Sequence, residues 1–217
     1  IVVPSEGDVV KTQAAMNRLA GKSLSFPTKD YNFRTVESVS RFDENRRIET
    51  VAAIRKKEFS SVVIPAEALC TLVMPPEDYR EMTIRPADTV EFDKIADILV
   101  SFGYERFSNV TGQGQFSIRG GIVDIFPPSE AQPYRIEFWD NDVDTVSLFD
   151  VNTQRRTEPV DGVRITPAKE YRAEIAEKLL EAITPFEGNE YADEDAEKLR
   201  GGILPKHDRW LPACYGK

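Results

Sequence analysis

The chain is poor in the residues that mark disulfide-rich and metal-binding proteins. Its 217 residues include two cysteines and one histidine. Cys70 and Cys214 lie in neither a C-x-x-C nor a C-x-x-C-H context, so no zinc, haem or redox motif can be identified. We expect both to be core thiols in a reducing cytoplasm. His207 has no second histidine with which to form a metal site or a nucleophile and base pair, and we expect it to face solvent.

Long apolar runs are also absent. The run from Ile95 to Phe102 is interrupted by Asp97 and is far shorter than the roughly 20 residues that cross a bilayer. The start, Ile1-Val2-Val3-Pro4, has neither a methionine nor the basic region of a signal peptide. We therefore expect a soluble, cytoplasmic fragment of a larger protein that makes no contact with a membrane.

Positive charge is scarce where a nucleic-acid interface would need it. The net charge is −9, and residues 81–170 hold nine basic against sixteen acidic residues. A duplex-binding surface needs clustered Lys and Arg to displace counterions from phosphates. The composition therefore favours protein partners over nucleic acid.

Alternating apolar patterns in the first 80 residues predict strands and helices in succession. Helices are expected at about 8–20 and at Glu44–Lys57, strands at Leu24–Phe26 and Ser61–Ile64, and a short helix at 66–72. The order βαβα is typical of a parallel sheet flanked by helices. The fold class predicted here is α/β.

The hydrophobic period changes after Glu81. An Asp88-x-x-Glu91 box predicts a helix that ends near Phe102. Period-two patterns then predict strands at 104–107, 115–119, 122–126, 134–139 and 143–149, with a tight turn at 140–142. This pattern indicates a small antiparallel sheet with a helix against one face, inserted after the parallel unit. Residues 171–185 and 192–200 return to helical patterning.

Two motifs resemble ligand sites but depart from them. Gly21-Lys22-Ser23 has the end of a phosphate-binding loop, yet Met16 replaces the required glycine and a helix precedes the tripeptide. We favour an ordinary loop that ends a helix. Asp140, Asp142 and Asp144 match a calcium loop at its first three ligands, but the required Gly and Glu are missing further on. A charged hairpin tip is the favoured interpretation, and no metal is expected.

The outer face of the small sheet carries the residues of greatest interest. If Phe116 and Ile118 point inward, Ser117 and Arg119 point outward, and the same period places Arg135, Glu137 and Trp139 on the outer side of the next strand. Trp and Arg are the types most enriched among interface hot spots. Two alternatives stay open: Trp139 is covered by residues 171–217, or a one-residue slip in register places it on the inner face.

Four segments resemble the N-terminal UvrB-homology region of the bacterial transcription-repair coupling factors. They are GYERFSNVTGQGQFSIRGGIVDIFP, PYRIEFWDNDVDTVSLFDVNTQR, ITPAKEY and DRWLPACYGK. The resemblance implies a degenerate RecA-like domain over residues 1–82, an inserted UvrA-binding α+β module over 83–168, and a return to the first domain over 169–217.

The resemblance also implies a function. Such factors recognise RNA polymerase stalled at a DNA lesion, displace it with an ATP-driven motor further along the chain, and recruit UvrA through this region. The UvrA-contacting arginines then correspond to Arg119 and Arg135 and the aromatic contact to Trp139, where relatives usually have Phe, with Ser117 and Glu137 at the edge of the face. The fragment itself is expected to be non-catalytic and to need no cofactor, since ATP belongs to the motor of the full-length protein.

The competing hypothesis is a piece of a UvrB-type ATPase that binds ATP near Gly21–Ser23 and damaged DNA. A structural clamp that holds other domains of its own chain is a third hypothesis. On the adaptor hypothesis, charge reversal at Arg119 or Arg135 should abolish UvrA binding and leave the fold intact.

Overall fold

Three sheets and five α-helices form the described part of the chain, which comprises residues 1–28, 42–71, 73, 79–170, 176–200 and 210 of a computed structural model. The helices are α1 (Val9–Ala20), α2 (Phe42–Lys56), α3 (Phe92–Ser101), α4 (Ala176–Ile183) and α5 (Glu190–Arg200). The strands are β1 (Val2–Val3), β2 (Ser23–Ser25), β3 (Ser61–Pro65), β4 (Met82–Ile84), β5 (Glu105–Arg106), β6 (Gln115–Arg119), β7 (Ile122–Ile125), β8 (Tyr134–Trp139), β9 (Asp142–Phe149), β10 (Arg156–Pro159) and β11 (Val163–Ile165).

A three-stranded parallel sheet organises the first unit. Its strand order is β1-β3-β2, and the register pairs Val2 with Ile64 and Leu24 with Val62. Helix α1 ends at Gly21, whose positive φ of 89° suits a residue without a Cβ. The predicted alternation of strands and helices is confirmed here. The short helix expected at 66–72 is a 3₁₀ helix over Ala66–Cys70.

The module after residue 81 is built on a six-stranded sheet of order β10-β9-β8-β7-β6-β5. Its strands are antiparallel except that β5 runs parallel to β6. Strand β10 was not predicted, because all four of its residues are exposed and no apolar residue alternates along it. The short pair β4 and β11 was also missed, since three residues are too few to display a period.

One face of the six-stranded sheet forms the main core together with α3. Phe116, Val123, Ile136, Ile95 and Leu99 are fully buried in one cluster. Each such side chain contributes about 1.5–3 kcal/mol through removal of apolar surface from water. The inward direction predicted for Phe116 and for the alternate residues of β8 is confirmed, which fixes the opposite side chains on the outer face.

The start of α3 is capped differently from the prediction. Asp88 accepts a hydrogen bond from the Arg85 N–H at 2.7 Å, and Glu91 makes no capping bond. Instead, Oδ1 of Asn141 accepts from the Phe92 N–H at 3.0 Å. The Asp-x-x-Glu box was therefore the wrong cap, because an oxygen from the β8–β9 hairpin turn satisfies the first free N–H of the helix.

A buried ion pair connects the first unit to the chain that leaves the module. Nε of Arg47 in α2 lies 2.9 Å from Oε1 of Glu170, and both side chains are buried. Arg47 also donates to the Pro27 carbonyl at 2.8 Å and lies over the Phe26 ring, 4.0 Å from its centroid. These contacts join strand β2, helix α2 and the chain that leaves the module.

The cysteine prediction is corrected for Cys70, which is exposed at the end of the 3₁₀ helix. Its neighbour Ala68 occupies the buried position of that helix instead. Cys214 and His207 lie outside the described residues. Within the described ranges, no helix combines the length and apolarity needed to cross a membrane, and no group of three or more His, Cys, Asp or Glu residues is arranged to hold a metal ion.

Candidate protein-docking face

The outer face of the six-stranded sheet is defined by two adjacent rows of paired residues. In the first row, Asp124 of β7 pairs with Ser117 of β6 and with Arg135 of β8. In the second row, Ile122 pairs with Arg119 and with Glu137. Because the intervening residues are buried in the main core, both rows face away from it. We call this surface the docking face and extend it along β8 to Trp139.

Asp124 connects the two arginines that the sequence singled out. Its Oδ1 accepts from Nε of Arg135 at 2.6 Å, and its Oδ2 accepts from Nη2 of Arg135 at 2.8 Å and from Nη2 of Arg119 at 2.5 Å. The Asp124 side chain is 0% exposed. Two cations thus neutralise one buried carboxylate, and the three side chains form a single network.

The two arginines differ in their access to solvent. The side chain of Arg119 is 42% exposed, and its Nη1 donates to Oδ1 of Asn109 at 2.6 Å and, at 3.3 Å, to the Ser108 carbonyl. The side chain of Arg135 is only 13% exposed and lies over the Phe149 ring. Its hydrogen bonds to Asp124 raise the pKa of Arg135 above the ordinary value. Arg119 is therefore the accessible member of the pair.

Trp139 extends from the docking face with 82% of its surface exposed. A bulge between Glu137 and Phe138 interrupts the pairing of β8 with β9, but Phe138 remains in the core and Trp139 remains outside it. The alternative in which Trp139 lies on the inner face is contradicted by this exposure, whereas most of the C-terminal segment proposed to cover it lies outside the described residues. Isolated exposed apolar residues are common. The exposure of Trp139 is informative because the arginines lie on the same face.

Beside Trp139 lies a shallow depression of about 390 Å³. The partly buried Glu137 lines this depression, and its Oε1 lies 3.5 Å from Nη1 of Arg156. Asp144 and Ile122 line other sides. The face therefore has a cationic end at Arg119 and an aromatic end with acidic neighbours.

Ser117 does not fit the predicted role. It lies on the docking face as expected, but it is only 1% exposed, and its hydroxyl has no hydrogen-bond partner within the described residues. Asp124 and Ser147 of the same row are equally buried, and Arg135 between them is partly exposed. We correct the prediction of an exposed edge: Ser117 lies beneath the face and is not available for direct contact.

Asp124 was missed by the sequence interpretation. A signal for it exists, because Val123 and Ile125 are apolar neighbours in a period-two strand and leave Asp124 on the face that also carries the arginines. Recognising it required the pairing of three strands, which places Asp124 between Ser117 and Arg135.

Comparison with known proteins identifies relatives of this chain. Residues 82–171 match the UvrB interaction domain family. The chain is 33% identical over 172 residues to a transcription-repair-coupling factor of Bacillus subtilis (strain 168), and 32% identical over 168 residues to that of Staphylococcus aureus (strain USA300). Each alignment covers 76% of this chain and 14% of the relative. The chain thus spans a small part of the length of these relatives.

Proposed function

Because this chain carries the match to the UvrB interaction domain and its resemblance to transcription-repair-coupling factors is confirmed, we propose that it is the UvrA-recruiting part of such a factor. In this proposal the fragment is a non-catalytic adaptor in transcription-coupled nucleotide excision repair in the cytoplasm. RNA polymerase and DNA are contacted by other regions of the full-length protein, which also hold the ATP-driven motor.

The observation that carries this proposal is the exposure of Arg119 and Trp139 on one sheet face, with Arg119 anchored from below by Asp124. Arginine and tryptophan combine apolar area with directional donors, and they are strongly enriched among residues that dominate binding energy. The buried carboxylate holds the arginine side chains in place before a partner arrives, which reduces the entropy lost on binding. UvrA is the partner that the resemblance implies.

The domain organisation belongs to the same proposal. Residues 1–82 and 169–217 would form a degenerate RecA-like domain, and residues 83–168 the UvrA-binding module. The parallel β1-β3-β2 sheet with α1 and α2 is compatible with part of such a domain. The three sheets establish a mixed α/β fold. The RecA-like relationship is part of the proposal.

A UvrB-type ATPase is the second candidate, and the geometry near Gly21–Ser23 does not favour it. The Ser23 N–H donates to Oδ1 of Asn17 at 2.7 Å, and the Ser23 hydroxyl is hydrogen-bonded to Ser61. These groups are engaged within the protein and do not form an open cradle for phosphate. Titration of ATP and a short DNA duplex into the chain should show no low-micromolar binding, and such binding of either would favour the ATPase.

The adaptor proposal predicts a large loss of UvrA affinity in the Arg119→Glu variant. Hot-spot truncations cost upward of about 2 kcal/mol, which corresponds to roughly a 30-fold weaker Kd. Arg119 is the better target, because its partial exposure limits the effect on the fold. Calorimetric titration with UvrA measures the change, and thermal unfolding of the variant checks its stability.

The matched control is Arg18→Glu, which makes the same change in charge on the exposed surface of α1 in the first unit. Its affinity for UvrA should stay within about twofold of the parent, since exposed charges distant from an interface are largely screened by salt. If Arg119→Glu binds UvrA as tightly as this control does, the docking face is assigned to the wrong surface.

A further inference from the structure

We propose that Asp124 is the positioning residue of the docking face, and that the arginine pair it holds takes up a carboxylate of the partner. This inference rests on the proposed UvrA-binding function. It adds a buried residue to those on which binding depends. Asp124 is 0% exposed and cannot touch the partner itself. Its effect on binding would therefore pass entirely through Arg119 and Arg135.

The hydrogen bonds of the network determine which donors remain for a partner. A guanidinium group has five N–H donors in a fixed plane. Arg135 gives Nε–H and one Nη2–H to Asp124, which leaves three, including both on Nη1. Nη1 of Arg135 is not one of the buried nitrogen and oxygen atoms that lack a hydrogen-bond partner. Arg119 gives one Nη2–H to Asp124 and Nη1–H groups to Asn109 and Ser108, which leaves two.

The charge of the network indicates what these donors bind. Two guanidinium groups and one carboxylate leave a single positive charge at the surface. The planar N–H donors of a guanidinium cation match a carboxylate, whose two oxygens accept a pair of hydrogen bonds. The negative charge of the carboxylate also favours binding to the cation. The partner group is therefore an Asp or Glu side chain that completes the neutralisation of the pair.

The Asp124→Asn variant separates positioning from simple charge attraction. The substitution removes one negative charge, so an attraction between overall charges would strengthen binding to an acidic partner group. It also places an amide N–H₂ against guanidinium donors, which releases at least one arginine. We expect the affinity for UvrA to fall at least tenfold in calorimetric titration.

Glu158→Gln is the control for charge, because Glu158 lies exposed on β10 and makes no hydrogen bond or ion pair among the described residues. It should bind UvrA within twofold of the parent. If Asp124→Asn binds UvrA as tightly as this control or more tightly, the positioning role is overturned.

A measurement on the unaltered chain covers the case in which Asp124→Asn fails to fold. Nitrogen-15 NMR of the arginine side chains should show the Nε–H of Arg135 exchanging with water at least tenfold more slowly than that of Arg155. Arg155 is exposed, and its side chain makes no hydrogen bond in the described structure. Equal exchange rates would overturn the positioning role. This readout needs no UvrA, so it stays decisive if the parent chain fails to bind UvrA, a result that would refute only the proposed function.

The carboxylate is tested from the partner's side. Substituting surface Asp and Glu residues of UvrA singly by Asn and Gln should identify one that weakens binding to the parent chain about tenfold. The same UvrA variant should lose clearly less affinity for an Arg119→Ala chain than for the parent chain, because part of the contact is already absent. If no such acidic residue exists in UvrA, the carboxylate assignment is overturned.

Discussion

Replacing Arg135 by glutamate is expected to lower the free energy of unfolding of the module by about 3–5 kcal/mol, the cost of leaving a buried charge without its partner. Arg135 supplies two of the three hydrogen bonds that Asp124 receives. Glutamate would place a second negative charge beside an enclosed carboxylate, and only Arg119 would remain to offset it. The geometry therefore argues against the expectation that charge reversal at Arg135 leaves the fold intact.

Urea unfolding followed by circular dichroism measures this loss. Arg119→Glu is the matched variant, since it removes one bond to the same carboxylate from a partly exposed side chain, and it should cost clearly less. Comparable stability of the Arg135→Glu variant and the parent would contradict the role given to Asp124 as a buried anion. The comparison also shows why loss of UvrA binding in Arg135→Glu alone would not identify a contact.

Replacing Arg47 by methionine is expected to be similarly severe, at about 3–5 kcal/mol. Arg47 is fully buried, and its loss leaves the enclosed carboxylate of Glu170 without this cation and the Pro27 carbonyl without this donor. Methionine keeps much of the apolar volume against the Phe26 ring, so the effect reports mainly on the ion pair. Urea unfolding again gives the measurement.

Two further variants make the Arg47 prediction specific. Arg46→Met alters the neighbouring arginine, which is partly buried and donates to Oγ of Ser25 at 2.8 Å and to Oε1 of Gln13 at 3.5 Å, and it should cost only about 1–2 kcal/mol for these lost hydrogen bonds. The double variant Arg47→Met with Glu170→Leu should be more stable than Arg47→Met alone, because it also removes the enclosed carboxylate that has lost the Arg47 cation. A double variant that is less stable than the single would contradict this reasoning.

Local periodicity was sufficient to predict the elements that bury one side. Strands β6 and β8 alternate between core and outer face, so the period favoured an inward Phe116 and an outward Trp139, and the structure confirms both directions. Helices α1 and α2 were predicted within two residues of their observed bounds, α1 with Gly21 as its stop and α2 from apolar residues at three- and four-residue spacing.

The features that depend on pairing between distant segments could not be predicted in this way. The cap of α3 comes from Asn141, 49 residues beyond Phe92, and no local sequence motif indicates it. The burial of Ser117 and the bonds of Asp124 follow from the register of β6, β7 and β8, which is a tertiary property. The binding roles of Arg119, Arg135, Trp139 and Glu137 remain predictions that the fold permits.

Fluorine NMR of the chain labelled with 5-fluorotryptophan tests the central claim, that the outer sheet face docks UvrA. The chain has two tryptophans, and Trp210, whose Nε1 donates to Oδ2 of Asp195 at 2.8 Å, serves as the internal reference. In the free chain, the Trp139 signal should respond strongly to exchange of H₂O for D₂O, as an exposed indole does. Saturating UvrA should shift this signal and suppress the response, while Trp210 stays unchanged. A Trp139 signal that remains unshifted and fully exposed to solvent in the presence of saturating UvrA would contradict the account.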